Sequence, residues 1–454
     1  MDATRVLRAV TTPVMGCTEP AAVALATSLA TAAARGEVPA WVLGRGTPVS
    51  PARATARADI EMVALRTVRS LYKNAMAVGI PNAGQGGIRL AAALGPFLDP
   101  GAGLNLLKAC DPGALDEART LLRDGERLVL EVRDDDRDVL FAEARVIAVI
   151  DGARHVGEAV LRGTHDGVEL LRRDGRVLLR RDPGSRGADG VTADLAELAQ
   201  MSLADLVAHV EALDQPGREH VLSGVAINRR AAEIGISERL GIGVGAALTD
   251  LVRAGDLCDD LALAAKRLAA GAADARMSGA DVEVMSSSGS GNQGIMAILP
   301  IAAVAERRGC DPARLATAVG LSHLVTAATT EHTGLLSALC GCVVKAGIGA
   351  AAGLAYLLDA PLEAAIRNMA GNITGEICDG AKVGCAVKIC TAAGAAVESA
   401  LLAGRGVEIP PNNGILAQVP RRVFENIGEV ARSMRAVDRT IVQIMERKEG
   451  TGCA

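Results

Sequence analysis

Residues 335–358 read LLSALCGCVVKAGIGAAAGLAYLL, and this stretch decides between a membrane protein and a packed helical one. Its 24 residues carry a single charge, at Lys345, so the stretch is long and apolar enough to span a bilayer. It also contains four glycines, two cysteines and a lone Tyr356, and it therefore lacks the aromatic belts that flank membrane spans. We interpret it as a pair of buried helices joined by a turn, and we expect no membrane partner.

The composition predicts a mainly helical protein whose core is made of small side chains. Hydrophobic residues make up 50% of the chain, yet it has only one Trp, two Tyr and three Phe. Ala, Val, Leu, Ile and Gly must therefore fill the core, and such small side chains let helices approach closely. A homodimer is compatible with these helices.

The charge and the N-terminal sequence exclude other classes of protein. The net charge is −5 and the basic residues are scattered, which predicts no nucleic-acid partner. The few aromatic side chains also leave little on which bases could stack. The first ten residues, MDATRVLRAV, lack the apolar segment of a signal peptide, so we expect a cytoplasmic protein.

The length of 454 residues predicts two or three domains. Residues 1–97 are interpreted as an N-terminal helical segment that packs on the core. Residues 98–190 are interpreted as a small inserted α+β domain, and residues 191–454 as an all-α domain rich in alanine and glycine. The predicted fold class is therefore mainly α with an inserted α+β domain.

Helix start and stop signals define the predicted helices. Thr18 and Pro20 predict a helix start, and Gly36 predicts its end. A second helix is expected over Ala58–Met76. Further helical patterns cover Ala114–Leu122, Ala193–Leu213, Gly224–Ile234 and Val419–Arg447.

Strand-like segments alternate with turns in the middle of the chain. The predicted strands are Leu128–Val132, Leu140–Ile150, Gly157–Leu161, Val168–Arg172 and Val177–Leu179. The turns between them are predicted at Asp151-Gly152, Asp166-Gly167 and Asp174-Gly175. Residues 180–190, which are charged and rich in Gly and Pro, are expected to form a surface loop.

Four of the ten cysteines lie within the 46 residues from Cys340 to Cys385, among glycines. Without an export signal, clustered thiols indicate metal binding or catalysis more often than disulfides. Several thiolates with few histidines suit an iron–sulfur cluster or zinc. We therefore predict Cys342 and Cys378, together with Cys385, as metal ligands. The scattered cysteines are interpreted as small buried hydrophobic residues: Cys110, Cys258, Cys310 and Cys390.

Glycines around these cysteines support the same interpretation. Gly341 suits a bend that turns Cys340 and Cys342 inward, although the two cannot share one helix face. Gly380 and Gly384 fit a loop that folds over a cluster, because glycine lets amide donors come close to the sulfurs.

Two further motifs are candidates for catalysis and substrate binding. Cys17 precedes a predicted helix start, where backbone amides lower the pKa of a thiol. It is therefore a candidate reactive thiolate or an extra metal ligand. A capping segment with an incidental cysteine is the alternative. Residues 286–294, SSSGSGNQG, precede an apolar run and look like a loop that opens a helix and holds a carboxylate. A plain Ser/Gly linker is the alternative. The candidate substrate-binding residues here are Ser287, Ser288, Ser290 and Asn292.

Two basic side chains are candidates for proton transfer. Lys73 lies beside a glycine-rich turn and is predicted either to neutralise a substrate carboxylate, to act as a base, or to be an ordinary exposed lysine. His332, like His323, is a candidate general base, and a buried hydrogen-bonded histidine is the alternative.

Five motifs resemble the L-cysteine desulfidase family, which is related to the alpha part of iron–sulfur L-serine dehydratases. In chain order they are GCTEP, KNAMAVGIPN, SSSGSGNQG, LCGC and GNITGEICDGAKVGCAVK. The resemblance spans residues 16–388. It implies an oxygen-sensitive 4Fe–4S cluster held by three cysteines, with one iron open for substrate and no pyridoxal phosphate. The fold class then includes a helical cluster-binding core.

The matching ligand positions are Cys342, Cys378 and Cys385, with Cys340 as an alternative to Cys342. The spacing from Cys378 to Cys385 is shorter than in the dehydratases. Asn372, in the last motif, is expected to contact the substrate. Cys453 is similar to the C-terminal cysteine that caps the open iron in some dehydratases.

The expected reaction is a β-elimination that converts L-cysteine to sulfide, ammonia and pyruvate, with Cys17, Lys73 or a histidine taking the α-proton. L-serine dehydration is the nearest alternative, because the two substrates differ by one atom. A metal-binding redox sensor is the alternative from another class of protein.

Overall fold

The computed structural model describes residues 1–44, 48–49, 58–133, 140–181 and 191–450. The helices that form the N-terminal half of the chain are α1 (Ala3–Val10), α2 (Thr18–Arg35), α3 (Arg69–Ala75), α4 (Ile88–Leu94), α5 (Pro112–Arg123), α6 (Val191–Leu198), α7 (Leu203–Glu211) and α8 (Gln215–Ser237). The following helices are α9 (Val244–Ala254), α10 (Leu261–Met277), α11 (Gly291–Arg308), α12 (Pro312–Thr333), α13 (Lys345–Leu357), α14 (Leu362–Ile373), α15 (Cys385–Ala403), α16 (Pro420–Ser433) and α17 (Arg435–Gly450).

The strands are β1 (Pro13–Met15), β2 (Asp59–Val68), β3 (Leu128–Arg133), β4 (Phe141–Ile150), β5 (Ala153–Arg162), β6 (Val168–Arg173), β7 (Arg176–Arg180) and β8 (Glu283–Met285). Six of them form a mixed sheet in the order β3-β2-β4-β5-β6-β7, in which only the β2–β3 pair is parallel. Strands β1 and β8 form a separate antiparallel pair.

Two hydrophobic cores organise the chain. In the larger core, helices α10, α11, α12, α13 and α15 pack through alanine, glycine and branched aliphatic side chains. In the smaller core, helix α2 lies across strands β4, β5 and β6. The prediction of a mainly α protein with an α+β part is therefore confirmed. The predicted domain boundaries stay a prediction, although β2, from residues 1–97, pairs with β3 and β4 of the next segment.

Local sequence signals correctly predicted most of the helices, strands and turns of the smaller core. Helix α2 runs to Gly36, which ends it in the left-handed conformation at φ 83°. All five predicted strands are present, with ends that differ by up to four residues. The predicted hairpin turns at Asp151-Gly152 and Asp174-Gly175 have positive φ at both residues, as tight hairpins require. Most of the predicted surface loop lies outside the described residues, at 182–190.

The predicted helix over Ala58–Met76 is wrong for its first part, which forms strand β2 before helix α3 begins. Val63, Leu65 and Thr67 are buried while Arg66 is exposed, so the burial repeats every second residue, as in a strand. Strand β2 forms backbone hydrogen bonds with β3 on one edge and with β4 on the other. Both partners are remote in sequence, so the local pattern of residues 58–76 does not reveal them.

Three other helix predictions need correction. Residues 335–344 are buried or partly buried but not helical, so the expected helix pair is a single helix, α13. The helix predicted over Ala193–Leu213 is divided into α6 and α7, where Ser202 and Asp205 form a capping box. The helix predicted over Val419–Arg447 is likewise divided, into α16 and α17.

One described helix, α15, is long and apolar enough to cross a membrane by length and composition alone. Its mean hydropathy is 1.5, and 61% of the segment is buried inside the protein. A buried core helix passes the same criteria, so this helix is weak evidence for a membrane span.

The packing of α2 on the sheet generates a stability prediction. A Cβ on Gly157 of β5 would overlap the carbonyl oxygen of Ala30, so Gly157→Ala should destabilise the protein by about 1–3 kcal/mol. Gly125 has open space and is the matched control, with an expected change within about 0.5 kcal/mol. Urea unfolding of both variants measures the difference, and equal stabilities would contradict the close approach of α2 and β5.

Candidate functional site

Two cysteine-containing segments that lie far apart in sequence are joined by a short antiparallel bridge between Leu339 and Ile377. The Cys340 amide donates to the Glu376 carbonyl at 2.9 Å, and the Cys378 amide donates to the Ala338 carbonyl at 2.7 Å. These bonds hold both segments at the same edge of the larger core.

The joined segments line a partly open cleft. The cysteines that line it are Cys17, Cys340, Cys342, Cys378 and Cys385. The ionisable and amide side chains that also line the cleft include Glu19, His165, Arg276, Asn292, Lys345 and Lys388. The predicted ligand cysteines are therefore brought together in one cleft, between side chains from both cores.

Hydrogen bonding gives the two cysteines of the Cys-Gly-Cys segment different acidities. Their sulfurs lie 3.3 Å apart. The hydrogen bond from Cys342 lowers the pKa of Cys340 to about 7, in spite of burial. The same bond and burial raise the pKa of Cys342 well above its usual range. The shared hydrogen bond therefore favours a single thiolate in this pair.

The other predicted ligands are neutral thiols in this structure, because burial dominates their ionisation. Burial raises the pKa of Cys385 to about 12 and also raises the pKa of Cys378. The Gly380 amide bonds to Cys378 and favours its thiolate, as expected for glycines placed close to a cluster.

The cysteines of this cleft are the side chains that would hold a metal cluster. In the part of the chain that the structure describes, no three His, Cys, Asp or Glu side chains converge on one ion. In an iron–sulfur cluster the thiolates bind different irons, so their sulfurs need to face a shared space and not a single point. The charges of Cys378 and Cys385 both raise the pKa of Cys342, which indicates that the three thiols are near one another.

Cys17 has a role in the cleft that differs from the prediction. We expected the start of α2 to lower its pKa, but burial first, and then the charge of Glu19, raise that pKa well above the usual range. The Cys17 thiol donates to Glu19 Oε2 at 2.8 Å. Cys17 is therefore a neutral thiol here, and a poor base.

The serine-rich segment forms a loop that opens helix α11, as predicted. Ser288, Ser290 and Asn292 line the cleft. Ser287 does not line it, because its hydroxyl contacts His323 Nδ1 at 2.9 Å.

Besides Ser287, three predicted site residues do not line this cleft. Lys73 is buried, and its ammonium pairs with Asp438 of α17 at 2.6 Å. His332 contacts the Ala199 carbonyl at 3.1 Å and lines a different cleft. Asn372 is an exposed residue of α14. Cys453 lies outside the described residues.

Several cleft residues were missed from sequence, among them His165, Arg276 and Lys345. His165, in the turn between β5 and β6, is buried, and burial lowers its pKa. Arg276 lies at the end of α10 and is 2% exposed. Lys345 donates to the Gly334 and Leu335 carbonyls, and burial lowers its pKa to about 8. No local pattern marks these residues, because their place in the cleft comes from tertiary packing.

His323, beneath the serine loop, generates a pH prediction. Burial lowers its pKa from 6.5 to about 3, so the unfolded chain binds more protons between these values and stability falls with decreasing pH. We expect His323 to account for a loss of about 1.4 kcal/mol in unfolding free energy between about pH 7.5 and 5.5. Urea unfolding at both values should show a smaller loss in His323→Gln, and an unchanged loss would contradict a neutral buried histidine.

Comparison with known proteins shows the family of this chain. The family described as serine dehydratase alpha chain matches residues 188–443. A UPF0597 protein from Clostridioides difficile (strain 630) is 36% identical, over 97% of this chain and 98% of its own length. Another from Desulfotalea psychrophila is 35% identical, over 96% of each chain. No solved structure matches. This chain therefore belongs to a family related to the alpha chain of iron–sulfur serine dehydratase.

Proposed function

We propose that this protein catalyses an iron–sulfur-dependent β-elimination that converts L-cysteine to sulfide, ammonia and pyruvate. The observation that carries the proposal is that four clustered cysteines, His165 and Lys345 line one cleft. L-serine dehydration is the second candidate, because the family description names serine dehydratase. The five motifs that resemble the desulfidase family favour L-cysteine.

The residues that would hold a 4Fe–4S cluster are Cys342, Cys378 and Cys385, with Cys340 as the alternative to Cys342. Such a cluster, when bound through three cysteines, supplies an open iron, which is a Lewis acid that favours departure of the substrate sulfur or hydroxyl. Lys345 and Lys388 add positive charge beside these thiols.

His165 is the group that we propose takes the α-proton. Its Nε2 is buried and has no hydrogen-bond partner within the described ranges. Because burial lowers its pKa below 6.5, the ring is neutral at pH 7 and has a free nitrogen to accept a proton. Cys17 is less suited to this role, because its raised pKa keeps it protonated.

The proposed reaction is balanced with water as the only co-reactant. The α-proton moves to His165 Nε2, and the electron pair of the Cα–H bond forms a double bond between Cα and Cβ. The Cβ–S bond breaks with its electron pair on sulfur, which leaves as sulfide. The resulting enamine takes up a proton as its imine, and water hydrolyses the imine to pyruvate and ammonia.

The test of the function is anaerobic turnover by the cluster-loaded protein. We expect sulfide and pyruvate to form in equal amounts from L-cysteine, faster than pyruvate forms from L-serine at the same concentration. Faster turnover of L-serine would support the dehydratase instead. A loaded protein that converts neither substrate would reject the elimination and favour a redox sensor.

His165→Gln should lower kcat by at least about 100-fold, because a general base typically contributes that much or more. It should leave the iron content unchanged, since His165 is not a predicted ligand. His155 lies in the same sheet, contacts Asp174 at 2.8 Å and does not line the cleft, so His155→Gln is the matched control. Equal kcat values for the two variants would exclude His165 as the base.

Serine substitutions identify the ligands through iron content. Cys378→Ser and Cys385→Ser should each lose most of the bound iron after anaerobic reconstitution, and one of Cys340→Ser and Cys342→Ser should do the same. Cys110 is buried in the other core, so Cys110→Ser should keep the full iron content. Retention of iron in the Cys378 or Cys385 variant would refute its assignment as a ligand.

A further inference from the structure

Arg276 is a buried cation that has no acidic partner among the described residues. Its side chain lies at the end of α10, lines the cleft and is 2% exposed. No carboxylate of the described chain lies within ion-pair distance of its guanidinium, and its Nε has no hydrogen-bond partner there. Burying a charge without a counter-charge costs free energy. The site is therefore suited to an anion that enters through the cleft.

The groups around this guanidinium are those that orient a carboxylate. Arg276 Nη1 donates to Asn292 Oδ1 at 2.9 Å, which fixes the plane of the guanidinium. Ser288, also in the cleft, has a buried hydroxyl without a partner among the described residues. A guanidinium and a hydroxyl are both donors, and a guanidinium matches a carboxylate through two parallel hydrogen bonds.

Gly291 makes this position of the guanidinium possible. It is the first residue of α11, and a Cβ there would overlap Arg276 Nε. Only glycine allows the arginine to lie against the first turn of α11. The serine-rich loop therefore contributes more than hydroxyl groups, because it provides the space that the cation occupies.

We propose that Arg276, oriented by Asn292 and accommodated by Gly291, binds the α-carboxylate of the substrate. This assignment rests on the proposed function for the identity of the substrate as a small amino acid, and it adds that a free carboxylate is required. Amines that lack this group, such as cysteamine, are then excluded even though they carry the same leaving sulfur.

The experiment uses two probes that have no β leaving group and so cannot be eliminated: L-alanine and its neutral carboxamide, L-alaninamide. Binding to the cluster-loaded protein is measured anaerobically by isothermal titration. We expect the wild-type protein to bind L-alanine at least about tenfold more tightly than L-alaninamide, as a charged hydrogen bond predicts. Arg276→Gln should lose this preference, and Arg276→Lys should keep part of it.

Gly291→Ala tests the geometry without removing any polar group. The added methyl group should displace the guanidinium and lower the affinity for L-alanine severalfold, while iron content and melting temperature show that the protein is folded and loaded. Gly320 is a buried helical glycine at which a Cβ would make only ordinary contacts, so Gly320→Ala is the matched control and should bind as the wild type does. If Arg276→Gln does not fold, the comparison of Gly291→Ala with Gly320→Ala still tests whether Arg276 binds the carboxylate.

Equal wild-type affinities for the two probes would overturn the assignment, as would an unchanged preference in Arg276→Gln or in Gly291→Ala. Failure of the proposed function has a different signature. In that case L-alanine binds in an Arg276-dependent manner, but neither L-cysteine nor L-serine is converted to pyruvate.

Discussion

Direct contact between backbones at glycine positions is the constraint on which the cleft depends. Gly380, in the segment between Cys378 and Cys385, has φ 95° and lies so close to Lys73 that a Cβ would overlap the Lys73 carbonyl oxygen. The loop that carries two predicted ligands therefore packs on helix α3 without any intervening side chain. A chain with six aromatic residues can build such contacts throughout, because its core residues are small.

The same contact gives Lys73 a structural interpretation. Its ammonium pairs with Asp438 of α17, while its carbonyl supports the cysteine loop. Helix α3 is thus held from one side by the C-terminal helix and supports the predicted ligands on the other. The backbone at Lys73 therefore supports the cysteine loop, and the proposed chemistry is assigned to residues that line the cleft.

Both cores contribute to the cleft, which connects its chemistry to the packing of the sheet. His165 is in the turn between β5 and β6, whereas Arg276 ends α10 and the cysteines lie at the edge of the helical core. The strand β5 packs directly on α2, whose first residues follow Cys17 and include Glu19. Movement of the sheet relative to α2 would therefore change the distance between His165 and the thiols.

Local sequence signals were sufficient for features that a few neighbouring residues determine. The hairpin turns at Asp151 and Asp174, helix α2 and the loop that opens α11 belong to this class. Strand β2 was missed because its partners are remote in sequence. The clustering of cysteines was visible, but Arg276 and His165 look like ordinary residues in a helix and a turn until the packing brings them to one cleft.

We propose that three of the four clustered cysteines hold a 4Fe–4S cluster, and iron and sulfide analysis of anaerobically purified protein tests this proposal. We expect about four irons and four sulfides per chain, with a broad visible absorption that bleaches in air. Zinc alone, or protein that stays free of metal after reconstitution with iron and sulfide, would contradict it and leave the cysteines as structural thiols.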